Sequence, residues 1–440
     1  MDLKSLQKWQ HALEELPADR RKQALGAITP IDIAGTQAPF LASPVYLKPD
    51  TFNAFNAAAQ TLVDATIAIE SHESFRPGNT LYDQLHESLS VQGKKLIDAS
   101  KKPTLDQIRK RFRRLDGFVT KTDKPMFIEI NQSAPLAISF YERAREYADL
   151  LKKDAAAQTK SLYEDLAQWF IGELSTMVQS KSAVIAVSME RGYPAKFIDL
   201  PIACEGIVAA ARMLNWEFEF VLAEPTEFTY SDVDGARVQG RTFDLLWRNT
   251  VYLRNYSQEL PEYQSIRYGG APMVNDLYTW LFRSKGFFAM IWDDRLRDDF
   301  LDLGVDVYAL RDIIPESYFV TSHRPESKDA WILKRCDDGF GRGIVFGADI
   351  HDTEWQEYLA GKHGKDWILQ QLVDPLPVEL PVVCHDGSIE VFEGICDFDP
   401  YSINGKISGI LVRALPHKDI TMKMNIVEGA LIGYATAATL

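Results

Sequence analysis

The chain has 440 residues, of which 46% are hydrophobic and 25% charged, and its formal net charge is −14. This is the composition of a globular protein with room for two or three domains, and the acidic balance argues against nucleic acid as a partner, because nonspecific nucleic-acid binding needs a basic surface. No apolar run approaches the ~20 residues that span a bilayer and no secretory signal is recognisable, so we expect a cytoplasmic protein with no membrane partner.

The first hundred residues favour helices. Near the start, apolar residues recur every three or four positions, which predicts an amphipathic helix. These residues are Leu3, Leu6, Trp9, Leu13 and Leu16. The Ala-rich stretch 52–70 predicts a second helix. We interpret residues 1–100 as a mostly helical N-terminal region that packs on the rest of the chain and has no direct chemical role.

The middle of the chain alternates strands with helices. Strands are predicted at 127–131, 182–187, 218–222 and 243–247, and helices at 140–178 and 204–214. Such alternation is typical of a parallel, doubly wound sheet. From about residue 317 the chain turns β-rich. Strands are predicted there near 331–334, 343–347, 367–371, 389–396 and 408–413, followed by a last helix over 425–438.

Polar side chains share a face on two of the early strands. Glu129 and Asn131 flank Ile130, so a strand directs both to one side. Their carboxylate and amide oxygens suit Mg²⁺, which prefers hard oxygen ligands. Asp116 offers another carboxylate, and Arg114 on the same face offers a site for an anion. The alternative interpretation of each pair is a surface salt bridge or a turn residue. For Glu129 and Asn131 taken alone, that alternative is favoured.

A lysine in an apolar run leads into a glycine-rich loop. Lys334 follows Trp331, Ile332 and Leu333, and the loop has glycines at three alternating positions, which are Gly339, Gly341 and Gly343. Backbone N–H groups of such a loop can cradle phosphate oxygens, because no Cβ blocks their approach. The pattern therefore predicts phosphate binding. The alternatives are an edge-strand lysine that points to solvent and an ordinary glycine hairpin.

Three further charged residues lie on the late strands. Arg413 ends the strand at 408–413, where it is equally well interpreted as a bidentate phosphate clamp or as an exposed strand end. Asp397 and Asp399 alternate on the preceding strand and can support a metal or a substrate, although a solvated face is favoured. The role of Asn425 stays open. The histidines form no metal or catalytic motif, and Cys204, Cys336, Cys384 and Cys396 lack zinc-site spacing.

The order of these motifs resembles the circularly permuted ATP-grasp proteins, particularly the glutathionylspermidine synthase-like branch, without an amidase domain. Arg114 with Asp116, and then Glu129 with Asn131, precede the lysine strands, which is the order that permutation would give. The segment from Asp244 to Arg248, Asn275 with the later Lys285, the strand from Trp367 to Val373, and Arg413 also match. The resemblance covers roughly residues 100–440. One departure is Arg335, since the family often has proline after this lysine.

The resemblance implies an α/β (α+β) protein with a circularly permuted ATP-grasp fold. It divides the chain into the helical region 1–100, a substrate region with metal-binding strands and a doubly wound layer at 101–315, and a nucleotide-binding region at 316–440. It implies Mg²⁺ at Asp116, Glu129 and Asn131, and ATP phosphates at Lys285, Lys334 and the loop glycines. It implies adenine beside Gln371, Leu372 and Val373, with Arg114 and Arg413 steadying the transferred phosphoryl group.

The implied activity is an ATP-dependent carboxylate–amine ligase. Such an ADP-forming carbon–nitrogen ligase uses ATP and Mg²⁺ to join a small-molecule carboxylate to an amine through an acyl phosphate. The alternatives are a small-molecule kinase on the same scaffold and a non-catalytic nucleotide-binding protein. The sequence identifies neither substrate and leaves a homo-oligomer open. Arg191, Arg248 and Arg254 are candidates for carboxylate binding, each as readily interpreted as a surface charge.

Overall fold

The fold is described by a computed structural model for most of the chain beyond residue 40. It describes residues 40–100, 102–151, 161–190, 194–231, 235–250, 272–339, 341–364, 366–383, 389–415 and 430–437, with the short segments 31–33 and 36–38 and positions 15, 17, 19 and 233. The first predicted helix, with Leu3 to Leu16, lies outside the described residues, apart from position 15. The same holds for Arg191, Arg254, Cys384 and Asn425.

The strands, in chain order, are β1 (Ile31–Ile33), β2 (Thr36–Ala38), β3 (Val45–Leu47), β4 (Arg113–Val119), β5 (Pro125–Asn131), β6 (Ser182–Ser188), β7 (Glu217–Ala223), β8 (Phe228–Ser231), β9 (Gly235–Val238), β10 (Arg241–Thr242), β11 (Leu245–Arg248), β12 (Met273–Val274), β13 (Ser317–Phe319), β14 (Trp331–Arg335), β15 (Ile344–Phe346), β16 (Trp367–Gln371), β17 (Pro377–Val383), β18 (Ile389–Ile403), β19 (Lys406–Leu415) and β20 (Leu431–Ala437). The α-helices are α1 (Pro49–Ser71), α2 (Thr80–Glu87), α3 (Val91–Ala99), α4 (Leu105–Arg109), α5 (Ile138–Leu151), α6 (Leu162–Leu174), α7 (Pro194–Met213), α8 (Thr279–Arg283), α9 (Gly286–Ile291), α10 (Arg297–Asp302), α11 (Val307–Arg311) and α12 (Asp352–Leu359).

A seven-stranded sheet brings together segments that are far apart in the chain. Its order is β3-β20-β19-β18-β4-β5, and β17 also pairs with β18. The register sets Leu115 opposite Ile130, and both are buried in the main hydrophobic core. Phe55 of α1 contacts the rings of Phe127 and Phe398, so α1 covers this apolar side. Because side chains alternate along a strand, the neighbours of these core residues point to the opposite face.

A separate four-stranded sheet is parallel, with the order β12-β11-β6-β7. The chain leaves β6 through α7 to reach β7 on one side, and returns to place β11 on the other. This reversal at β6 is the doubly wound pattern that the sequence predicts. The predicted helix at 140–178 corresponds to the two helices α5 and α6, because Ser161 caps a new helix by accepting a hydrogen bond from the Glu164 N–H.

The third large sheet is antiparallel, with the order β13-β16-β14-β15. The predicted strands near 331–334 and 367–371 are its two central strands. Trp355 and Leu359 of α12 pack with Trp331, Trp367 and Leu369 to form its hydrophobic core. This core covers one face of the sheet, so the side chains that alternate with the core residues point to the opposite face.

The predicted last helix is wrong in its described part, because residues 431–437 form β20. This strand lies between β19 and β3, and Ile432 and Tyr434 are buried. A strand buried on both faces lacks the alternation that distinguishes it from a helix. Among the described residues, no helix combines the length and the apolar character needed to cross a membrane.

One buried ion pair links α1 to the start of β4. Arg111 donates from Nη1 to both carboxylate oxygens of Glu70 at 2.5 Å, and from Nη2 to Asp276 Oδ2 at 3.0 Å. Burial raises the pKa of Glu70, while Arg111 opposes that rise. The pair ties the N-terminal helices to the site-bearing strands.

We expect Glu70→Ala to lower the free energy of unfolding by about 3 kcal/mol, because it leaves a buried guanidinium without one of its two carboxylate partners. Urea denaturation measures this change. Glu87→Ala, which removes the exposed partner of Lys94, is the control and should change stability by less than about 1 kcal/mol. Equal losses in both variants would show that the buried pair has no special weight.

Candidate functional site

One face of the seven-stranded sheet carries charged side chains from four adjacent strands. Arg114 and Asp116 alternate on β4, and their register partners on β5 are Asn131 and Glu129. On the other side of β4, β18 contributes Asp397 and Asp399, and β19 contributes Arg413 as the register partner of Asp397. Both placements follow from the antiparallel register of β18 with β19 and with β4. The sheet thus assembles the predicted groups of both halves of the chain on one surface.

Asp116 lies at the centre of this group. Its Oδ1 accepts hydrogen bonds from Arg114 Nε at 3.1 Å and Asn131 Nδ2 at 2.8 Å. Its Oδ2 accepts one from Arg413 Nη2 at 2.8 Å. Burial by itself would raise the pKa of Asp116, but the guanidinium groups of Arg114 and Arg413 lower that pKa to about 2. Asp116 is therefore an ionised carboxylate at neutral pH.

Arg413 is surrounded by three carboxylates. Besides Asp116, its Nη2 contacts Asp397 and lies 3.1 Å from Asp399 Oδ1, and its Nε lies 2.7 Å from Asp399 Oδ2. Burial raises the pKa of Asp397 and of Asp399, and Arg413 opposes that rise. Asp397 and Asp399 are both buried, so the favoured interpretation of a solvated face is wrong. Arg413 is likewise not an exposed strand end.

Lys285 joins the sheet to the glycine loop. It lies between α8 and α9, and its side chain is 4% exposed. Its Nζ donates to Glu129 Oε1 at 2.9 Å and to the backbone carbonyl of Asp338 at 2.7 Å. Its backbone N–H donates to the carbonyl of Cys336 at 2.9 Å. Only the family resemblance suggested Lys285 as a site residue. The structure holds it between Glu129, a predicted metal ligand, and the predicted phosphate loop.

Lys334 is buried in the middle of the antiparallel sheet. Its Nζ donates to Gln370 Oε1 at 2.6 Å, and Gln370 Nε2 donates to Ser317 Oγ at 3.1 Å. Burial lowers the pKa of Lys334 to about 8, with Glu129 raising it and Lys285 lowering it further. The alternative of a solvent-facing edge lysine is therefore wrong, because β14 lies between β15 and β16.

Gln370 is a site residue that the sequence analysis missed. Lys334 is the register partner of Ile368, and Gln370 lies two positions further along β16. Alternation therefore places Gln370 on the lysine face and its neighbour Gln371 on the other. Gln371 is exposed, and its N–H donates to the Glu316 carbonyl at 2.8 Å. The alternation signal was present, but it becomes usable only once the pairing register is known.

The glycine loop is both a hairpin and a neighbour of the lysines. It joins β14 to β15, which pair antiparallel. Gly341 and Gly343 have φ of 72° and 65°, and a Cβ on Gly343 would lie 2.7 Å from the Cβ of Arg335. The Gly339 N–H donates to Asp338 Oδ1 at 3.0 Å. Phosphate binding and hairpin formation are thus compatible interpretations of the same glycines.

The segment assigned to adenine follows β16. Leu372 donates its N–H to the Ala330 carbonyl at 2.9 Å, and both Leu372 and Val373 are half-buried. They lie at the end of the strand that carries Gln370, on the same sheet as Lys334. The segment therefore lies at the Trp331 end of the β14–β16 pair, whereas Lys334 lies towards the other end.

Carboxylate oxygens at the site have a spacing that suits a metal. Asp116, Asp397 and Asp399 each place an oxygen within 4.8 Å of the others. Hard oxygen donors of this kind fit Mg²⁺. Arg413 contacts all three carboxylates, so a bound cation would have to displace its guanidinium. The donor set fits Mg²⁺ once the Arg413 guanidinium is displaced. It includes Asp397 and Asp399, which the sequence analysis did not assign as ligands.

The charges of the site balance internally when every group is ionised. The anionic groups are Asp116, Glu129, Asp397 and Asp399, and the cationic groups are Arg114, Lys285, Lys334 and Arg413. Buried charges need such compensation. The cationic and anionic groups of the site therefore compensate one another.

Arg248 does not belong to this surface. It is completely buried, and it donates to the carbonyls of Asn275 at 2.7 Å and Thr250 at 3.0 Å and to Thr279 Oγ1 at 2.6 Å. Neither sequence interpretation, a surface charge or a carboxylate-binding group, fits these contacts. Arg248 instead holds the turn that leads into α8 and Lys285.

No protein-family model matches the sequence, and no curated protein matches it either. Among solved structures, the chain is similar to a glutathione synthetase-like effector from Globodera pallida in its apo form. The TM-score is 0.63 at 11% sequence identity, and the match covers 100% of this chain and 98% of that chain. At this identity the likeness shows the fold, which is a mixed α/β architecture like that of the glutathione synthetase-like protein.

The depressed pKa of Lys334 predicts a pH-dependent stability. The folded protein releases the proton near pH 8, whereas an unfolded lysine keeps it to about pH 10.4, so this group favours folding more as the pH rises through that window. We expect the wild-type protein to gain about 2 kcal/mol over Lys334→Met between pH 7 and pH 10. Urea denaturation at each pH measures this. A constant difference would contradict the burial of a charged lysine.

Proposed function

We propose that the protein is an ATP-dependent carboxylate–amine ligase, which forms an amide through an acyl phosphate and releases ADP and phosphate. The observation that carries the proposal is the convergence of two buried lysines on one carboxylate-rich sheet face. Lys285 reaches Glu129 and the glycine loop directly, and Lys334 lies within the electrostatic reach of Glu129 and Asp116. The fold likeness to a glutathione synthetase-like protein supports a ligase-type scaffold.

We further propose that the fold is a circularly permuted ATP-grasp fold. In support, β4 and β5 come before β14 in the chain, yet their carboxylates act on the ammonium of Lys334. The separation in sequence is bridged by β18 and β19, which return to pair beside β4. We expect a permuted chain to have its metal strands first and its nucleotide strands last, and the chain order of β4 and β5 before β14 agrees with that expectation.

The proposed roles follow from position and charge. Lys285, Lys334 and the N–H groups of Gly339, Gly341 and Gly343 hold phosphates. Gln371, Leu372 and Val373 border adenine. Asp116, Glu129 and Asn131, together with Asp397 and Asp399, supply the oxygen ligands. Arg114 and Arg413 steady the transferred phosphoryl group, because planar guanidinium groups bind phosphate oxygens bidentately.

Binding would proceed as an exchange of partners. The ammonium of Lys285 leaves Glu129 for a phosphate oxygen, and Arg413 turns from the aspartates to the phosphoryl group. The freed carboxylates of Asp116, Glu129, Asp397 and Asp399 would be the groups that hold the metal. Mg²⁺, when bound, neutralises phosphate charge and so assists attack at phosphorus. This exchange keeps every buried charge compensated before and after binding.

The chain's contribution to the chemistry is positioning and charge stabilisation. A substrate carboxylate oxygen attacks the γ-phosphorus while the bond to ADP breaks, giving an acyl phosphate. The amine then attacks the acyl carbon, phosphate leaves, and the amine loses a proton to solvent. Lys334 and Arg413 stabilise the negative charge that develops in these steps. The glycine loop excludes water, which otherwise hydrolyses the acyl phosphate.

A product analysis tests the proposed activity. With amino acids as acids and a panel of primary amines, we expect ADP and free phosphate in equal amounts, dependent on both substrates. ADP with the phosphoryl group retained on a substrate would instead indicate a kinase. AMP with pyrophosphate would contradict the acyl-phosphate route.

Charge-removing substitutions test the assigned ligands. Asp116→Asn and Glu129→Gln keep the shape of each side chain but remove its charge, so we expect kcat to fall at least about 100-fold at a temperature at which both variants are folded. Asp116→Asn also lowers the melting temperature, because Arg114 and Arg413 lose a buried charged partner. Asp64→Asn, on the exposed side of α1, is the control and should keep full activity. Normal activity in both site variants would show that the metal assignment is wrong.

A further inference from the structure

The N-terminal helices contact the base of the glycine loop through one buried carboxylate. Asp337 follows β14, and its side chain is 2% exposed. Its Oδ2 accepts from the Ser90 N–H at 3.0 Å, from the Ser90 hydroxyl, and from Trp280 Nε1 at 3.1 Å. Its Oδ1 accepts from Arg283 Nη1 at 3.3 Å. This carboxylate therefore joins the base of the loop to the start of α3 and to α8.

The packing around Asp337 leaves no room for adjustment. Gly93 lies in the first turn of α3, and a Cβ there would lie 2.6 Å from Trp280 Nε1 and 2.8 Å from Asp337 Oδ2, so only glycine fits at this position. Ser90 caps that helix by accepting the Gly93 N–H at 3.1 Å. The guanidinium of Arg283 lies over the Trp280 ring, 4.4 Å from its centroid. The contact is thus a built junction between α3, α8 and the loop.

The residues on either side of Asp337 hold Lys285 through their backbone carbonyls. The carbonyl of Cys336 accepts the Lys285 N–H at 2.9 Å, and the carbonyl of Asp338 accepts the Lys285 ammonium at 2.7 Å. Fixing the Asp337 side chain therefore fixes both carbonyls. The position of the lysine ammonium is set by the junction as well as by Glu129.

We propose that Asp337 is a positioning residue for the phosphates of a nucleoside triphosphate, and that it acts through Lys285. It ties the loop base to α3 and α8, and so aims the lysine ammonium into the site. This inference rests on the proposed function and extends it. The N-terminal region is then a support of the nucleotide site, whereas the sequence analysis gave it no chemical role.

Charge alone predicts the opposite effect from positioning. Asp337→Asn removes a negative charge near the phosphate loop and releases Arg283, whose Nη2 lies 3.3 Å from where a Cβ on Gly339 would be. Coulomb's law then favours tighter binding of anionic ATP. The positioning role requires weaker binding, so the sign of the change separates the two explanations.

Calorimetric titration with ATP and Mg²⁺ tests this role. We expect Asp337→Asn to weaken ATP binding at least tenfold, and Ser90→Ala, which removes one donor, to weaken it several-fold. The control is Asp366→Asn. It removes the carboxylate that accepts a hydrogen bond from Arg335 Nε at 2.8 Å, and Arg335 is on the same hairpin as Asp337. The change leaves the contacts of Lys285 in place. It should change ATP affinity less than twofold.

A double-mutant cycle shows whether Asp337 acts through Lys285. In a Lys285→Met background, adding Asp337→Asn should weaken binding less than twofold. Hydrogen exchange gives a readout without ATP, because the Lys285 amide should lose protection in Asp337→Asn but not in Asp366→Asn. Melting temperatures show whether each variant is folded. If Asp337→Asn is not folded, Ser90→Ala takes its place in these measurements.

The outcomes separate this inference from the proposed function. If the wild-type protein binds no ATP with Mg²⁺, the proposed function and the inference both fail. If the wild type binds ATP and Asp337→Asn binds it equally or more tightly, the inference fails alone. A tenfold loss that persists in the Lys285→Met background would also overturn it, since Asp337 would then not act through the lysine.

Discussion

Charge buried in a protein is stable only when an opposite charge or a hydrogen bond compensates it, and this constraint organises the molecule. Arg413 is held by three aspartates, and Lys285 by Glu129 and a loop carbonyl. The partners come from strands distant in sequence, so the pairs form only when the seven-stranded sheet has its observed register. The groups that satisfy one another in this sheet are the groups proposed to bind ATP and metal.

The same constraint explains why the site is surrounded by positioning contacts. A lysine side chain has rotatable bonds, and these must be restrained before its ammonium can bind a phosphate in a fixed geometry. Gln370 restrains Lys334 from the neighbouring strand. The junction at Asp337 restrains the loop that holds Lys285. In this account α3 contributes to the site through the geometry of the loop, without supplying a ligand.

Sequence reasoning found the parts of the site that depend on local periodicity. Alternation placed Arg114 with Asp116 on one face, and the doubly wound layer followed from strand–helix order. It could not show that Asp397 and Asp399 are buried, because period-2 alternation does not reveal which face of a strand is covered. Gln370 was missed because inward and outward positions depend on register. The strand β20 was taken for a helix because a strand buried on both faces has no alternation.

The central claim is that a charge-balanced site exchanges its internal partners for ATP and Mg²⁺ together. Its most direct test is calorimetric titration of the wild-type protein with ATP, with Mg²⁺ present and with Mg²⁺ removed by EDTA. The account predicts binding with Mg²⁺ and at least tenfold weaker binding without it, because ATP alone would leave the displaced carboxylates uncompensated. Equal affinity under both conditions, or no binding in either, would contradict it.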